Sequence, residues 1–232
     1  SASNRAAFVT KWLKALDDNG FLGLDLDLLP IEPQDEVPLL ALVDALKSAR
    51  PGIVLTVPVL WLNANSASVP SFFSQLAQKV DRLNIMSYGM ADGWSGWLSW
   101  HSSALKGEGP TTPTSVSSTL NAFLSIGIPS KKMGIGIGFY GSCWGSPVTG
   151  PRQSPNGGLV KAGDNVMTFA AIMDSYFEAS ALRYDTLAEA SYLSFSSPKG
   201  PKACTFISFE DERSVAVKGK YVLDTQLGGS NL

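Results

Sequence analysis

Gly20-Phe21-Leu22-Gly23-Leu24-Asp25-Leu26-Asp27-Leu28-Leu29-Pro30 is a short apolar run with two carboxylates inside it. In an extended chain successive side chains point to opposite faces, so Gly23, Asp25, Asp27 and Leu29 share one face. Leu22, Leu24, Leu26 and Leu28 share the other, which is expected to be a clean core face. The acidic face carries its two carboxylates about 6–7 Å apart along the strand, at roughly 3.3 Å per residue. An unpaired buried carboxylate costs several kcal/mol or gives up its charge. If this face looks into an interior, the aspartates are hydrogen-bonded or serve a ligand; if the strand lies at an edge, both stand in water.

Working outward, Ala6, Val9, Leu13 and Leu16, with Phe8 and Trp12 beside them, follow helical spacing, and Asn19-Gly20 supplies a C-cap. A helix therefore feeds the Asp-x-Asp strand. Pro30, Pro33 and Gln34-Asp35-Glu36 read as the loop after it, and Leu39 to Ala49 as a second helix stopped by Arg50-Pro51-Gly52. Ile53 to Val59 is β-branched and apolar without alternation, as a strand buried on both faces should be. Val69 to Val80 is helical, Arg82 to Tyr88 is a strand, and Gly89 to Thr112 is a Gly/Ser/Trp loop. Val116 to Ile126 is a helix, and Lys132 to Tyr140 is a strand whose glycines let something approach closely. Gly141 to Asn165 reads as a long functional loop. Thr168 to Phe177 and Arg213 to Leu223 read as helices, with Ala190 to Ser194 and Cys204 to Phe209 as short strands between them. Alternating helices and buried strands imply an α/β parallel sheet, closed as a barrel or open and doubly wound. Either way the chemistry is expected at the C-terminal strand ends, where Asp25, Asp27, Tyr88, Tyr140 and Trp144 stand.

At 232 residues the chain suits one large domain. Its net charge of −2 gives no basic footprint for nucleic acid, and no apolar run approaches the roughly 18 residues that span a bilayer. Ser1 to Asn19 has no signal-peptide core, so a secreted form is expected to be already processed. Two cysteines, Cys143 and Cys204, are too few for a disulfide framework; separate thiols are expected, with a single bridge between them the alternative. Six tryptophans among only 16% charged residues suit stacking on flat, uncharged ligands such as sugars.

These pieces resemble glycoside hydrolase family 18, the chitinase and chitinase-like barrels. The family's Asp-Gly-x-Asp-x-Asp-x-Glu strand aligns without a gap to Leu22 through Leu29. Met86-Ser87-Tyr88 is similar to its Met-x-Tyr, Gly136 to Gly141 to its Gly-x-x-Tyr-Gly strand end, and Phe206 to Asp211 to its Tyr-Asp-Asp segment before a Ser-containing helix. Leu227-Gly228-Gly229 is similar to its last strand. The resemblance implies a (β/α)8 barrel in a single partial domain, with strands four to eight in this chain. Strands one to three would then belong to a longer protein or to a separate polypeptide.

The implied chemistry is substrate-assisted, retaining hydrolysis of β-1,4-linked N-acetylglucosamine polymers, and needs no cofactor or metal. A glutamic acid protonates the glycosidic oxygen while the sugar's N-acetyl oxygen attacks the anomeric carbon. Carried over, Asp27 orients and stabilises the oxazolinium, Asp25 is its partner, and Tyr88 supplies the hydroxyl. The acid falls on Leu29, which has no proton to give, and neither Glu32 nor Glu36 obviously replaces it. Leu22 and Gly89 are two further departures from the family pattern, and the tryptophan of the family's last strand falls beyond Leu232. The expectation is a secreted, catalytically impaired chitinase that binds chitin or chito-oligosaccharides. The alternative is a non-catalytic, lectin-like chitin-binding protein on the same barrel.

Candidate sugar contacts are Met86, Trp94, Trp97, Tyr140, Trp144 and Glu210, with Trp100, Asp211 and Tyr192 weaker. His101 is expected to be at the surface or hydrogen-bonded. Outside the family, Asp25 and Asp27 could hold Mg²⁺, but no third ligand is evident.

Overall fold

The computed structural model describes residues 2–66, 68–156, 158, 160–162 and 166–231. Helix α1 (Ala2–Asn19) ends as its Asn-Gly pair requires. Gly20 adopts φ +70°, and the Phe21 amide reaches back to the Leu16 carbonyl at 3.0 Å. The chain then enters β1 (Gly23–Asp25). Residue 23 has to be glycine, because a β-carbon there would stand 1.9 Å from the Val54 carbonyl oxygen.

Strand β1 opens a five-stranded, all-parallel sheet with β2 (Val54–Leu60), β3 (Arg82–Met86), β4 (Met133–Gly136) and β10 (Gly229–Asn231), in the order β1-β2-β3-β4-β10. The sheet curls. Leu55, Val57, Val59, Leu83 and Ile85 are buried on its outer face. They pack with residues of α2 (Pro33–Ala49), α3 (Phe72–Lys79) and α4 (Val116–Ser125). Burying each such side chain is worth about 1.5–3 kcal/mol, but β2 is not buried on both faces as expected: on its inner face Val54 and Leu60 are 43% and 48% exposed. The register puts a polar row, Asp25–Thr56–Arg82, on the inner face. A second row there is Pro58–Asn84–Gly134–Gly229.

The second sheet is antiparallel, in the order β6-β5-β9-β8-β7: β6 (Val160–Ala162), β5 (Ser142–Trp144), β9 (Cys204–Ser208), β8 (Ala190–Lys199) and β7 (Leu182–Asp185). Ile172 of α5 (Phe169–Ser175) packs with Leu193, Ile207 and Phe209 in one of its cores. Trp100 and Ala104 pack with Trp144 and Phe206 in the other. Helix α6 (Glu212–Asp224) leads back to β10; its Asp211 cap accepts from the Ser214 amide at 2.8 Å, and Ser214 Oγ accepts from the Asp211 amide.

Several expectations are corrected. Leu26 is buried and Leu24 packs on the core, but Leu22 and Leu28 are 81% and 48% exposed. Pairing covers only Gly23 to Asp25, so the alternation does not extend to the ends of the run. Helix α2 begins at Pro33, not Leu39. Proline costs nothing at a first helical position, where its missing N–H has no partner to lose, and Asp35 accepts from the Glu32 amide to close the capping box. The segment 141–165 is not one loop, since it contributes β5 and β6; its residues 157, 159 and 163–165 lie outside the described residues. Cys143 and Cys204 are not separate thiols but a disulfide between β5 and β9, with Cα atoms 5.4 Å apart. Neighbouring strands put the two cysteines within bridging reach, a pairing that spacing along the chain does not reveal.

Candidate active site

The inner face of β1 ends in the two acids. Asp25 Oδ1 accepts from the Thr56 hydroxyl, its register partner on β2. The Leu26 amide bonds the Thr56 carbonyl at 2.8 Å, extending the pairing one step, and Asp27 follows it at the sheet's end. Both aspartates are exposed. Thus the edge-strand reading describes their solvent access, and the hydrogen-bonded reading describes Asp25.

Tyr88 stands two residues past Met86, beyond the end of β3, and is half-buried. Burial raises the pKa of its phenol, and the negative charges of Asp27 and Asp25 raise it further. The three groups therefore share one electrostatic neighbourhood. Glycines of the next segment make room for the ring: a β-carbon at Gly136 would stand 2.6 Å from Tyr88 Cε1, and one at Gly138 3.1 Å from Tyr88 Cβ. Ser87 fixes the end of β3 to β4, its hydroxyl donating to the Gly136 carbonyl at 2.8 Å and accepting from the Gly136 amide at 3.0 Å. Tyr140 meets Tyr88 edge-on, with ring centroids 5.8 Å apart. Met86, opposite Leu60 on β2, is partly buried.

Leu29 is half-buried between two cavities. One, of about 670 Å³, has Asp27, Leu28, Asp35, Pro38, Leu39 and Leu42 beside it. The other, of about 170 Å³, is apolar, with Leu60, Leu62, Val69, Phe73 and Phe123 among its walls. The carboxylate missed by sequence reasoning is Asp35, which shares a cavity with Asp27 and Leu29 but is engaged by the Glu32 amide at 3.3 Å. The start of α2 at Pro33, rather than Leu39, places Asp35 in the helix's first turn beside Asp27.

Trp94 and Trp97 stack edge-on with ring centroids 4.8 Å apart, and Trp61 lies 5.6 Å from Trp94 and 6.4 Å from Trp97. Trp94 is 39% exposed. Trp61 was also missed, although its place directly after β2 is the signal that could have found it. Trp100 is buried, its indole N–H donating to the Thr114 carbonyl at 2.8 Å under the Arg152 guanidinium. Trp144 is corrected: it is fully buried and stacked on Phe206, so it offers no face to a ligand. Glu210 is also corrected as a sugar contact, because it is 6% exposed and its carboxylate is taken by Lys218 and Ser214. Asp211 caps α6, and Tyr192 is half-buried against His101 and Phe206.

His101 is buried and hydrogen-bonded. Its Nε2 lies 3.0 Å from Asp185 Oδ2, and Nδ1 lies 3.4 Å from Ser208 Oγ. The neutral ring donating to Asp185 and accepting from Ser208 satisfies both contacts. Burial lowers its pKa, outweighing the Asp185 carboxylate. Burial alone would raise the Asp185 pKa, but hydrogen bonds from His101 and Arg152 hold it well below the usual carboxylate range. Among the described residues, no group of three or more His, Cys, Asp or Glu is placed to hold a metal, and no helix is long and apolar enough to cross a membrane.

A family model described as Glycosyl hydrolases family 18 matches residues 1–232. The chain is 26% identical over 178 residues to a class V chitinase of Arabidopsis thaliana, covering 68% of this chain and 46% of that protein. It is 28% identical over 176 residues to Chitinase A1 of Niallia circulans, covering 68% of this chain and 24% of that protein. The chain thus spans less than half the length of these relatives. The structure of the class V chitinase of Nicotiana tobaccum superposes with a TM-score of 0.76 at 25% identity, over 99% of this chain and 68% of that one. A mutant family 18 chitinase of Cycas revoluta in complex with (GlcNAc)4 gives the same TM-score, identity and coverages. The curled parallel sheet is therefore the half-barrel these chitinases share, and the chain belongs to family 18 of the glycosyl hydrolases.

Proposed function

We propose that this chain carries the recognition half of a chitinase-type site and that Leu29 silences its hydrolytic half. In this reading β1, β2, β3, β4 and β10 correspond to strands four to eight of a (β/α)8 barrel forming one domain. Phe21, Leu22 and Val54, exposed beside β1, support a completing segment there, in the same or a separate polypeptide. The ligand is a β-1,4-linked N-acetylglucosamine oligomer. Asp27 orients the N-acetyl group, Asp25 and Thr56 hold Asp27's side of the site, and the Tyr88 hydroxyl faces the acetyl oxygen. Met86, Trp94, Trp97 and Tyr140 are the remaining sugar contacts, with Trp61 joining the tryptophan pair. The disulfide supports a protein that works outside the cell, where such bonds persist.

The observation that carries this reading is that Asp27, whose charge acts with that of Asp25 on the Tyr88 phenol, lines one cavity with an apolar residue 29. Substrate-assisted, retaining cleavage needs a proton delivered to the glycosidic oxygen and later retrieved, and general acid–base catalysis is commonly worth 10²–10⁴-fold. Leucine can do neither. The second reading, a lectin-like chitin binder, is favoured by the partly exposed Trp61–Trp94–Trp97 cluster. Chitotetraose should quench tryptophan fluorescence saturably in the native chain and much more weakly in D27A; the absence of any saturable change would remove both readings. Leu29→Glu separates them, restoring release of chito-oligosaccharides on the first and changing nothing on the second.

A further inference from the structure

Lys218 is a fully buried cation that no step of the proposed chemistry uses. Its ammonium donates to the Ser103 carbonyl at 2.8 Å, to Ser103 Oγ at 2.6 Å, and to Glu210 Oε1. Glu210 Oε2 is satisfied separately by the Ser214 hydroxyl at 2.7 Å. All three ammonium protons are therefore placed, as a buried charge demands. Ser103 carries the chain of contacts onward, its own hydroxyl donating to the Ser87 carbonyl. That carbonyl belongs to the peptide that leads into Tyr88. Glu210, Ser103, Tyr88 and Tyr140 also line one small closed cleft between the two sheets.

A buried ion pair alone does not require this arrangement. Lys218 and Glu210 could neutralise each other within the α6 region, yet two of the three ammonium hydrogen bonds go to Ser103. A hydroxyl that accepts from an ammonium becomes a stronger donor, so the charge on Lys218 tightens the Ser103–Ser87 bond. On its far side Ser87 is pinned to Gly136, the residue whose missing β-carbon makes room for the Tyr88 ring.

We propose that Lys218 is a positioning residue for Tyr88, acting through Ser103 to fix the peptide that presents the phenol beside Asp27. This rests on the reading of Tyr88 and Asp27 as an N-acetyl-sugar site. The antiparallel sheet, which supplies Glu210 after β9, and helix α6 thereby belong to the site although neither touches the sugar through this network.

The test cuts the link while leaving the ion pair in place. Ser103→Ala keeps the Lys218 bonds to Glu210 and to the residue 103 carbonyl but removes the hydroxyl, whereas Ser103→Thr retains it. Two readouts are taken on the native chain and both variants: chitotetraose affinity by tryptophan fluorescence, and the Tyr88 phenol titration at 295 nm, isolated by difference against the matching Tyr88→Phe chain. In S103A the affinity falls tenfold or more and the Tyr88 titration moves down toward the ordinary tyrosine range, while the thermal midpoint falls because one buried Lys218 proton loses its acceptor; S103T restores affinity and titration. A second variant, E210M/K218M, removes both charges together, which avoids stranding one of them, and gives the same two shifts. Unchanged affinity and titration in S103A and in E210M/K218M would overturn the proposal. If the native chain binds no chitotetraose, the sugar-site reading fails, and the titration alone still decides whether Lys218 positions Tyr88.

Discussion

The Tyr88 ring occupies space that only a glycine at residue 136 leaves open: a β-carbon there would stand 2.6 Å from Tyr88 Cε1 and 3.0 Å from the Ile85 carbonyl. Gly136→Ala must push the ring or the strand end. Overpacking of this kind costs about 1–3 kcal/mol, and here part of the strain can be relieved by moving the phenol. The expected outcome is a folded protein whose affinity for chitotetraose drops at least fivefold, measured by fluorescence titration beside a thermal melt. Native affinity in a folded G136A chain would show that the ring's position is immaterial.

Tyr88 owes part of its raised pKa to Asp27 and part to Asp25, with burial the larger cause. Asp27→Asn removes one negative charge without changing shape, so the phenol should titrate at lower pH than in the native chain while remaining above the ordinary range. Spectrophotometric titration at 295 nm, differenced against Y88F, reads this directly. No downward movement would mean that Asp27 and Tyr88 do not share a site in solution.

His101 makes the core between the antiparallel sheet and the 91–104 segment sensitive to acid. Asp185, Arg152, Lys218, Ser208 and Tyr192 surround the ring, and its folded pKa lies below its unfolded value of about 6.5. Below that pH the unfolded chain binds the proton more readily than the folded one, so this contribution is complete above pH ~6.5 and is lost as pH falls. Asp185, held low, stays ionised across this window and does not reverse the sign. One proton is worth at most ~1.4 kcal/mol per pH unit, or about 3–5 °C in midpoint for a chain of this size. Melting between pH 7 and 5 should show this slope in the native chain and a flatter one in His101→Gln. Equal slopes would remove the assignment.

The Cys143–Cys204 bridge closes a loop of 61 residues in sequence separation. Loop-closure entropy for that length is about 4 kcal/mol. C143A/C204A should therefore lower the unfolding free energy by several kcal/mol in a urea titration, with the parallel sheet still formed. A loss under 1 kcal/mol would show that the unfolded chain is already constrained there.

The parallel half of the fold was legible because each buried strand of the first sheet is a run of apolar or small residues bounded by helical periods. Ile53 to Val59 and Arg82 to Tyr88 announce their strands without help from tertiary structure. Of the antiparallel sheet, the sequence showed β8 and β9 as short strands at Ala190 to Ser194 and Cys204 to Phe209, but not β5, β6 and β7. Its strands β5 and β6 are three residues each, set among glycines and prolines, and acquire their conformation from cross-strand partners such as Trp144↔Phe206 rather than from local pattern. The same limit hid the disulfide and the fate of Trp144. Spacing placed Asp25, Asp27, Tyr88, Tyr140 and Trp144 at C-terminal strand ends, and the family resemblance, not spacing, singled out Asp25, Asp27 and Tyr88. Glu210 could not be sorted from Asp211 in the sequence, because only Lys218, eight residues on, decides which acid is buried.

We infer that Asp25, Asp27 and Tyr88 still recognise the sugar and that the missing proton donor at residue 29 limits hydrolysis. The most direct measurement is release of chito-oligosaccharides from a chitin oligomer by Leu29→Glu, beside the native chain and L29E/D27N. L29E should release at least 10²-fold more product than the native chain, a gain abolished again in L29E/D27N. A folded L29E chain that binds chitotetraose yet releases no more product than the native protein would contradict it.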